Sequence, residues 1–154
     1  MMQVRVASAA DLPAMKKLAA ESSAAAQWSA DAYQSLFQSS SPVVCHVLVA
    51  EERGDVLGFL AARSVDSEFE LENVAVAAAS RQKGIGKKLV SELLKLSQSQ
   101  GATAVHLEVR ESNRPARCLY QSCGFHETGR RKAYYAGPAE DAVRYSFSFS
   151  SPKK

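Results

Sequence analysis

Apolar and polar positions alternate at the start of the chain, with Val4 and Val6 set against Gln3 and Arg5. The period then becomes helical at Leu12, Met15, Leu18 and Ala19. This predicts a first strand followed, after Ser8 and Asp11, by an amphipathic helix. A second helix is expected from Ser29, a good N-cap residue, with Tyr33, Leu36 and Phe37 as its apolar face, and the polar run 38–42 reads as a loop. Residues 43–50 and 56–65 are mostly β-branched or apolar and flank Arg53-Gly54-Asp55, the pattern of a β-hairpin.

A further strand is expected over 69–76. Gly84 then opens a helix in which Ile85, Leu89, Leu93 and Leu96 form one stripe, ending near Gly101. Val105, Leu107 and Val109 alternate with His106, Glu108 and Arg110, so the next strand turns three polar side chains away from its apolar face. Residues 113–123 read as a short helix closed by Gly124, and Tyr134-Tyr135, the turn 136–138 and the run 143–149 read as a last hairpin. No repeat or linker interrupts this order. It predicts one α/β domain with a mixed sheet over residues 1–154, the end 150–154 being a flexible tail.

Composition narrows the class. With 46% hydrophobic and 23% charged residues the chain has the make-up of a folded globular domain. A net charge of +3 is too small and scattered to argue for direct nucleic-acid binding, and no apolar run is long enough to span a membrane. Without a targeting segment at Met1, the expected location is cytoplasmic. Cys45, Cys118 and Cys123 show no paired spacing and have apolar neighbours, which predicts reduced, buried thiols, and His46, His106 and His126 lack ligand spacing, so no metal site is expected.

The segment Arg81-Gln82-Lys83-Gly84-Ile85-Gly86-Lys87-Lys88 places two glycines at a strand-to-helix junction. Free N–H groups at a helix start favour phosphate oxygens, glycine lets them approach the backbone, and Arg81, Lys83, Lys87 and Lys88 add positive charge. Leu89 stands where a dinucleotide fingerprint needs its third glycine, and no Gly-Lys-Ser/Thr ending marks a P-loop. Taken alone, the segment also reads as a glycine loop with solvated lysines.

Val74-Ala75-Val76, then Arg81-x-x-Gly84-x-Gly86, then Asn113-x-x-Ala116-x-x-Leu119-Tyr120-x-x-x-Gly124-Phe125 resembles the GNAT acetyltransferase superfamily in order and spacing. The run 107–113, Arg130-Arg131-x-x-Tyr134-Tyr135 and Glu140-Asp141-Ala142 are similar to the RimI-type ribosomal-protein alanine N-terminal acetyltransferases. The resemblance implies a mostly antiparallel mixed sheet flanked by helices, splayed between its fourth and fifth strands. It implies acetyl-CoA as acetyl donor, held by the backbone of Val74, Ala75 and Val76, by Arg81, Gln82, Lys83, Gly84, Ile85, Gly86 and Lys87, and by Asn113. It assigns the general base to Glu108 and the general acid to Tyr120. The implied acceptor is a protein N-terminus, an alanine-starting ribosomal protein, with Glu72, Tyr134 and Tyr135 as substrate-binding residues.

The residues alone leave other readings open. Glu108 also reads as a surface carboxylate beside Arg110, Tyr120 as a half-buried core aromatic and Asn113 as a simple N-cap, while the resemblance to other branches of the superfamily implies Glu72, on the preceding strand, as a competing base. His106 shares a strand face with Glu108 and stands where it would tune that carboxylate. A lysine, polyamine or small-molecule acetyltransferase, or a noncatalytic acyl-CoA-binding subunit, would fit the same fold. The oligomeric state has no signature in the sequence.

Overall fold

Arg53 and Gly54 both take left-handed backbone angles, φ 54° and 83°, the mirror-image turn that suits the right-handed twist of a hairpin. They join β2 (Val43–Glu52) to β3 (Asp55–Val65), the second and third strands in spatial order of a seven-stranded sheet. The computed structural model describes residues 1–22, 28–38, 42–136 and 139–149. Parts of the expected loop at 39–41 and turn at 137–138, and the tail at 150–154, lie outside the described residues.

Around the hairpin the chain adds β1 (Gln3–Val6), α1 (Leu12–Ala20) and α2 (Ala30–Ser35) before it. After it come β4 (Glu68–Val76), α3 (Ile85–Ser99), β5 (Ala104–Arg110), α4 (Arg114–Ser122), β6 (His126–Tyr135) and β7 (Glu140–Ser148). The spatial order is β1-β2-β3-β4-β5-β7-β6, antiparallel throughout except for the parallel pair β4 and β5. The expected mixed, mostly antiparallel sheet with helices on its faces is therefore the observed one. The last hairpin begins earlier than Tyr134, at His126, and its second arm, β7, lies inside the sheet while β6 forms the edge.

Residues 47–50 and 59–62 are buried on both faces, which is why β2 and β3 read as continuous apolar runs. Val47, Val49, Phe59 and Ala61 meet Met15 and Leu18 of α1 and Tyr33 of α2 on one face. Leu48, Ala50, Leu60 and Ala62 meet Leu89, Val90 and Leu93 of α3 on the other. Ser29 caps α2 by accepting a 3.2 Å hydrogen bond from the Ala32 N–H. Arg5 ties β1 to the turn before α1 and to β2, donating at 2.9 Å to both carboxylate oxygens of Asp11 and at 3.1 Å to Glu51.

The cysteine expectation needs correction: Cys45, Cys118 and Cys123 are free thiols, but Cys118 is exposed and the other two are only half-buried. Cys118 lies on α4, whose inward face is filled by Tyr120, so an apolar neighbourhood in sequence did not become burial in space.

β4 carries the irregularity that matters most. Its pairing with β3 matches Ala61 to Asn73 and Ala62 to Leu71, leaving Glu72 as an extra, bulged residue. Side-chain alternation is inverted there: Phe69 and Leu71 face the α3 core before the bulge, whereas Ala75 joins the α1 core after it and Val74 and Val76 turn to α3. The ladder between β4 and β5 runs only from Glu68↔Ala104 to Leu71↔Leu107 and stops at the bulge.

Gly124 ends α4 with φ 97°, and a Cβ added there would stand 3.0 Å from Phe147 Cε2. Gly124→Ala combines left-handed strain with overpacking and is expected to cost about 1–3 kcal/mol, read by urea denaturation. A variant as stable as the wild type would contradict the described packing.

Candidate functional site

Where β4 and β5 part, a cavity of about 880 Å³ opens between them. Its floor comes from Val74 and Val76 on one side and from Glu108, Val109 and Arg110 on the other. The starts of α3 and α4 converge on its far wall, through Gly84, Ile85, Gly86 and Lys87 from one helix and Asn113 and Ala116 from the other. Two positive helix ends aimed at one cleft, with Lys87 and Arg81 beside them, suit a ligand rich in phosphate oxygens.

The loop before α3 is built for close approach. Gln82 and Gly84 adopt left-handed φ values of 64° and 80°, a curl that turns backbone N–H groups inward. A Cβ on Gly86 would come 3.2 Å from Leu119 Cδ2, so glycine there lets α3 pack against α4. Arg81 folds back to donate at 3.3 Å to the Val76 carbonyl. Asn113 does cap α4, its side chain accepting at 3.2 Å from the Ala116 N–H, and it lines the cavity as well. The Ala75 side chain is buried in the α1 core, which leaves its backbone, the part expected to bind, for a ligand, while Lys83, exposed at the loop tip, is outside the cavity wall.

A second cavity, of about 570 Å³, adjoins the first and shares with it Leu71, Glu72, Glu108 and Tyr135. Glu72 and Glu108 are the first residues beyond the end of the β4–β5 ladder, so both carboxylates stand at the fork. Tyr120 touches only the larger cavity; Tyr134 and Arg131 touch only the smaller. Adjacent strand residues ordinarily point to opposite faces, yet Tyr134 and Tyr135 both reach the cavity wall. A bulge between Arg131 and Tyr135, with Ala133 at φ 50° and its N–H held at 2.9 Å by Asp141, reorients them. Arg110 steadies the hairpin tip from below, its guanidinium 4.4 Å from the centre of the Tyr135 ring and its Nη2 donating at 3.3 Å to the Ala136 carbonyl.

Three Arg–Glu pairs surround the smaller cavity. Arg63 donates at 2.9 Å to Glu72 Oε1, and Arg144 reaches both oxygens of Glu70 at 3.4 Å. Glu108 is held by Arg131 rather than by Arg110, with Nε 2.7 Å from Oε2, and Arg110 pairs instead with Glu140 at 3.6 Å. The Arg131 contact is a charge contact without alignment: Oε2 is buried and accepts no aligned hydrogen bond among the described residues. His106, expected beside Glu108, engages Ser146 at 2.6 Å and Glu68 at 3.3 Å, below the fork.

Tyr120 is buried, with 6% exposure, rather than half-buried, and burial, with smaller contributions from Cys123 and Tyr135, pushes its phenol well above the ordinary tyrosine value. Burial, then the nearby Glu108 carboxylate, raises Tyr135 as well. A phenol that stays protonated across the physiological range is a hydrogen-bond donor and acid, not a base. The smaller cavity also contains Trp28, Arg63 and Arg144, which come from three separate segments and carry no local motif. Trp28 is the single tryptophan of the chain, and nothing in the local sequence ties it to this cavity.

Residues 12–125 match the Acetyltransferase (GNAT) family. Among similar sequences, the putative [ribosomal protein bS18]-alanine N-acetyltransferase of Bacillus subtilis is 34% identical over 98 residues, 64% of this chain and 65% of that protein. The [ribosomal protein bS18]-alanine N-acetyltransferase of Haemophilus influenzae is 38% identical over 95 residues, covering 60% of this chain and 64% of that protein. The matched stretch thus spans just under two thirds of either relative. The crystal structure of the ribosomal-protein-S18-alanine N-acetyltransferase from Escherichia coli superposes with a TM-score of 0.88 at 27% identity, over 100% of this chain and 97% of that one. Arabidopsis thaliana NAA60 in complex with acetyl-CoA shares the fold, with a TM-score of 0.84 at 19% identity over 96% and 98% of the two chains.

The buried phenol yields a pH prediction. Unfolding exposes Tyr120 to titration near pH ~10, whereas the folded protein keeps it protonated beyond that. The unfolded state therefore binds fewer protons at alkaline pH, and the stability tied to Tyr120 is present below that pH and lost as pH rises. Tyr120→Phe is expected to move the onset of alkaline unfolding to higher pH, followed by circular dichroism with tyrosinate absorbance. An unmoved onset would contradict the linkage.

Proposed function

The chain belongs to the GNAT acetyltransferase family, and on that premise we propose that it transfers an acetyl group from acetyl-CoA to the N-terminal α-amine of a protein, an alanine-starting ribosomal protein. The observation that carries this reading is the meeting of two cavities at Glu108. A carboxylate that faces both chambers can take a proton from an acceptor in the smaller one while a donor lies in the larger.

Acetyl-CoA supplies the activated acetyl thioester. Its phosphates fit the cleft wall made by Gln82, Gly84, Ile85, Gly86 and Lys87, and its extended arm fits the gap in which the backbone of 74–76 has lost β5 as a neighbour. An α-amine has an unperturbed pKa of ~8, so much of it arrives as ammonium and must be deprotonated before it can attack. Glu108 receives that proton, directly or through one water. The protonated Tyr120 phenol, which lines only the donor chamber, is placed to donate to the departing sulfur.

Glu72 is the rival base, because it stands at the same fork. Its Oε1 accepts an aligned hydrogen bond from Arg63, while Glu108 Oε2 accepts none among the described residues, which favours Glu108. The names of the bacterial relatives support the alanine N-terminus as acceptor. Lysine, polyamine and small-molecule acceptors are the alternatives on this fold, and a noncatalytic acyl-CoA-binding subunit is the remaining one.

The test is mass spectrometry of peptides incubated with acetyl-CoA, comparing free alanine-, serine- and methionine-starting peptides with N-blocked, lysine-containing ones. Acetylation is expected on free α-amines, with Glu108→Gln and Tyr120→Phe each slowed by about 100- to 10,000-fold and Glu72→Gln affected far less. Modification of the blocked lysine peptides alone would replace the acceptor assignment, and a crippled Glu72→Gln beside an active Glu108→Gln would exchange the base.

A further inference from the structure

Arg131 stands apart from the other two arginines of the acceptor chamber. Arg63 and Arg144 satisfy Glu72 and Glu70 by hydrogen bonds, but Arg131 lies 2.7 Å from the buried Oε2 of Glu108 without hydrogen-bond alignment. The pair is lopsided, the Arg131 side chain being 58% exposed and that of Glu108 only 16%. The guanidinium is itself braced, its carbon 5.1 Å from the centre of the Tyr134 ring, and Tyr134 meets Tyr135 edge-on at 5.1 Å. The bulge that carries Arg131, Tyr134 and Tyr135 takes four steps along β6, from Arg131 to Tyr135, against two steps along β7, from Ala142 to Glu140.

Resting on the reading above, we propose that Arg131 is the positioning residue of the base: it fixes Oε2 of Glu108 so that Oε1 faces the incoming amine. A carboxylate at a strand end between two cavities otherwise has several rotamers, and only some of them reach an acceptor. The same fixed cation disfavours an ammonium beside it, which helps the amine give up its proton to Glu108. Arg131 touches the acceptor chamber and not the donor chamber, so its influence falls on the proton-transfer step and not on acetyl-CoA binding.

The experiment measures initial rates with acetyl-CoA and an alanine-starting peptide for wild type, Arg131→Met, Arg131→Lys, Glu108→Gln and the double variant Glu108→Gln/Arg131→Met. Arg131→Met is expected to lower kcat by about tenfold to a hundredfold and to leave the KM for acetyl-CoA and the melting temperature unchanged, and Arg131→Lys to recover part of the loss. In the Glu108→Gln background Arg131→Met should add no further loss, because the group it positions is gone. Wild-type kcat in Arg131→Met beside a slow Glu108→Gln would overturn the positioning role while leaving the base intact. Equal losses from Arg131→Met in both backgrounds would also overturn it, since the effect would not pass through Glu108. A fully active Glu108→Gln, or a wild type that leaves the peptide unmodified, would instead fell the reading on which the assignment rests.

Discussion

The site exists because β4 contains one residue too many. Glu72 has no counterpart on β3, and the strand accommodates it by reversing which side chains face which core. Leu71 is the last β4 residue to pair with β5. Beyond it the two strands diverge, and backbone that an ordinary sheet would satisfy across the gap faces a cavity instead. Leaving backbone polar groups without a strand partner is costly unless water or a ligand meets them. The gap is tolerable because it is a place where another extended chain can lie.

The fork then sorts charge. On the donor side stand two helix N-termini with Arg81 and Lys87, so the field favours anions. On the acceptor side stand three Arg–Glu pairs, nearly neutral in sum but rich in directional groups. Glu72 and Glu108 sit on the boundary, one on each diverging strand. Tyr120 enters from α4, its phenol kept protonated by burial in the same core that Leu107 and Val109 supply from beneath. The two titratable groups proposed for the chemistry therefore differ in environment, with the carboxylate at a charged junction and the phenol in an apolar wall.

The edge hairpin completes the arrangement. β6 is largely exposed, and only its bulged end returns to the site, bringing Arg131, Tyr134 and Tyr135 against residues of β4 and β5. Arg110 and Asp141 secure that end from the neighbouring strands through an aromatic face, a carbonyl and a backbone N–H. The smaller cavity is thus walled partly by an edge strand that is largely exposed, where side chains can vary without disturbing the core.

Local pattern was enough for most elements. The helical stripe from Ile85 through Leu93, the Ser29 cap, the Arg53-Gly54 turn and the alternation of Val105, Leu107 and Val109 each reflect interactions between residues a few positions apart, and each reappears in the structure. The glycine loop was legible for a related reason, as a strand end followed by a helix start, whereas Glu108, Tyr120 and Asn113 stood out only through the resemblance of segment order and spacing to a known family. What the chain order did not reveal was anything decided between distant segments. The Arg131–Glu108 pair spans two strands that are not neighbours in the sheet, Cys118 is exposed on α4 despite its apolar sequence neighbours, and Trp28, Arg63 and Arg144 line one cavity from three distant segments. Short-range periodicity records which face of an element is apolar. Which partner that face meets, and which charge ends beside which, is settled by packing across the sheet, where contact requires closeness in space and none in sequence.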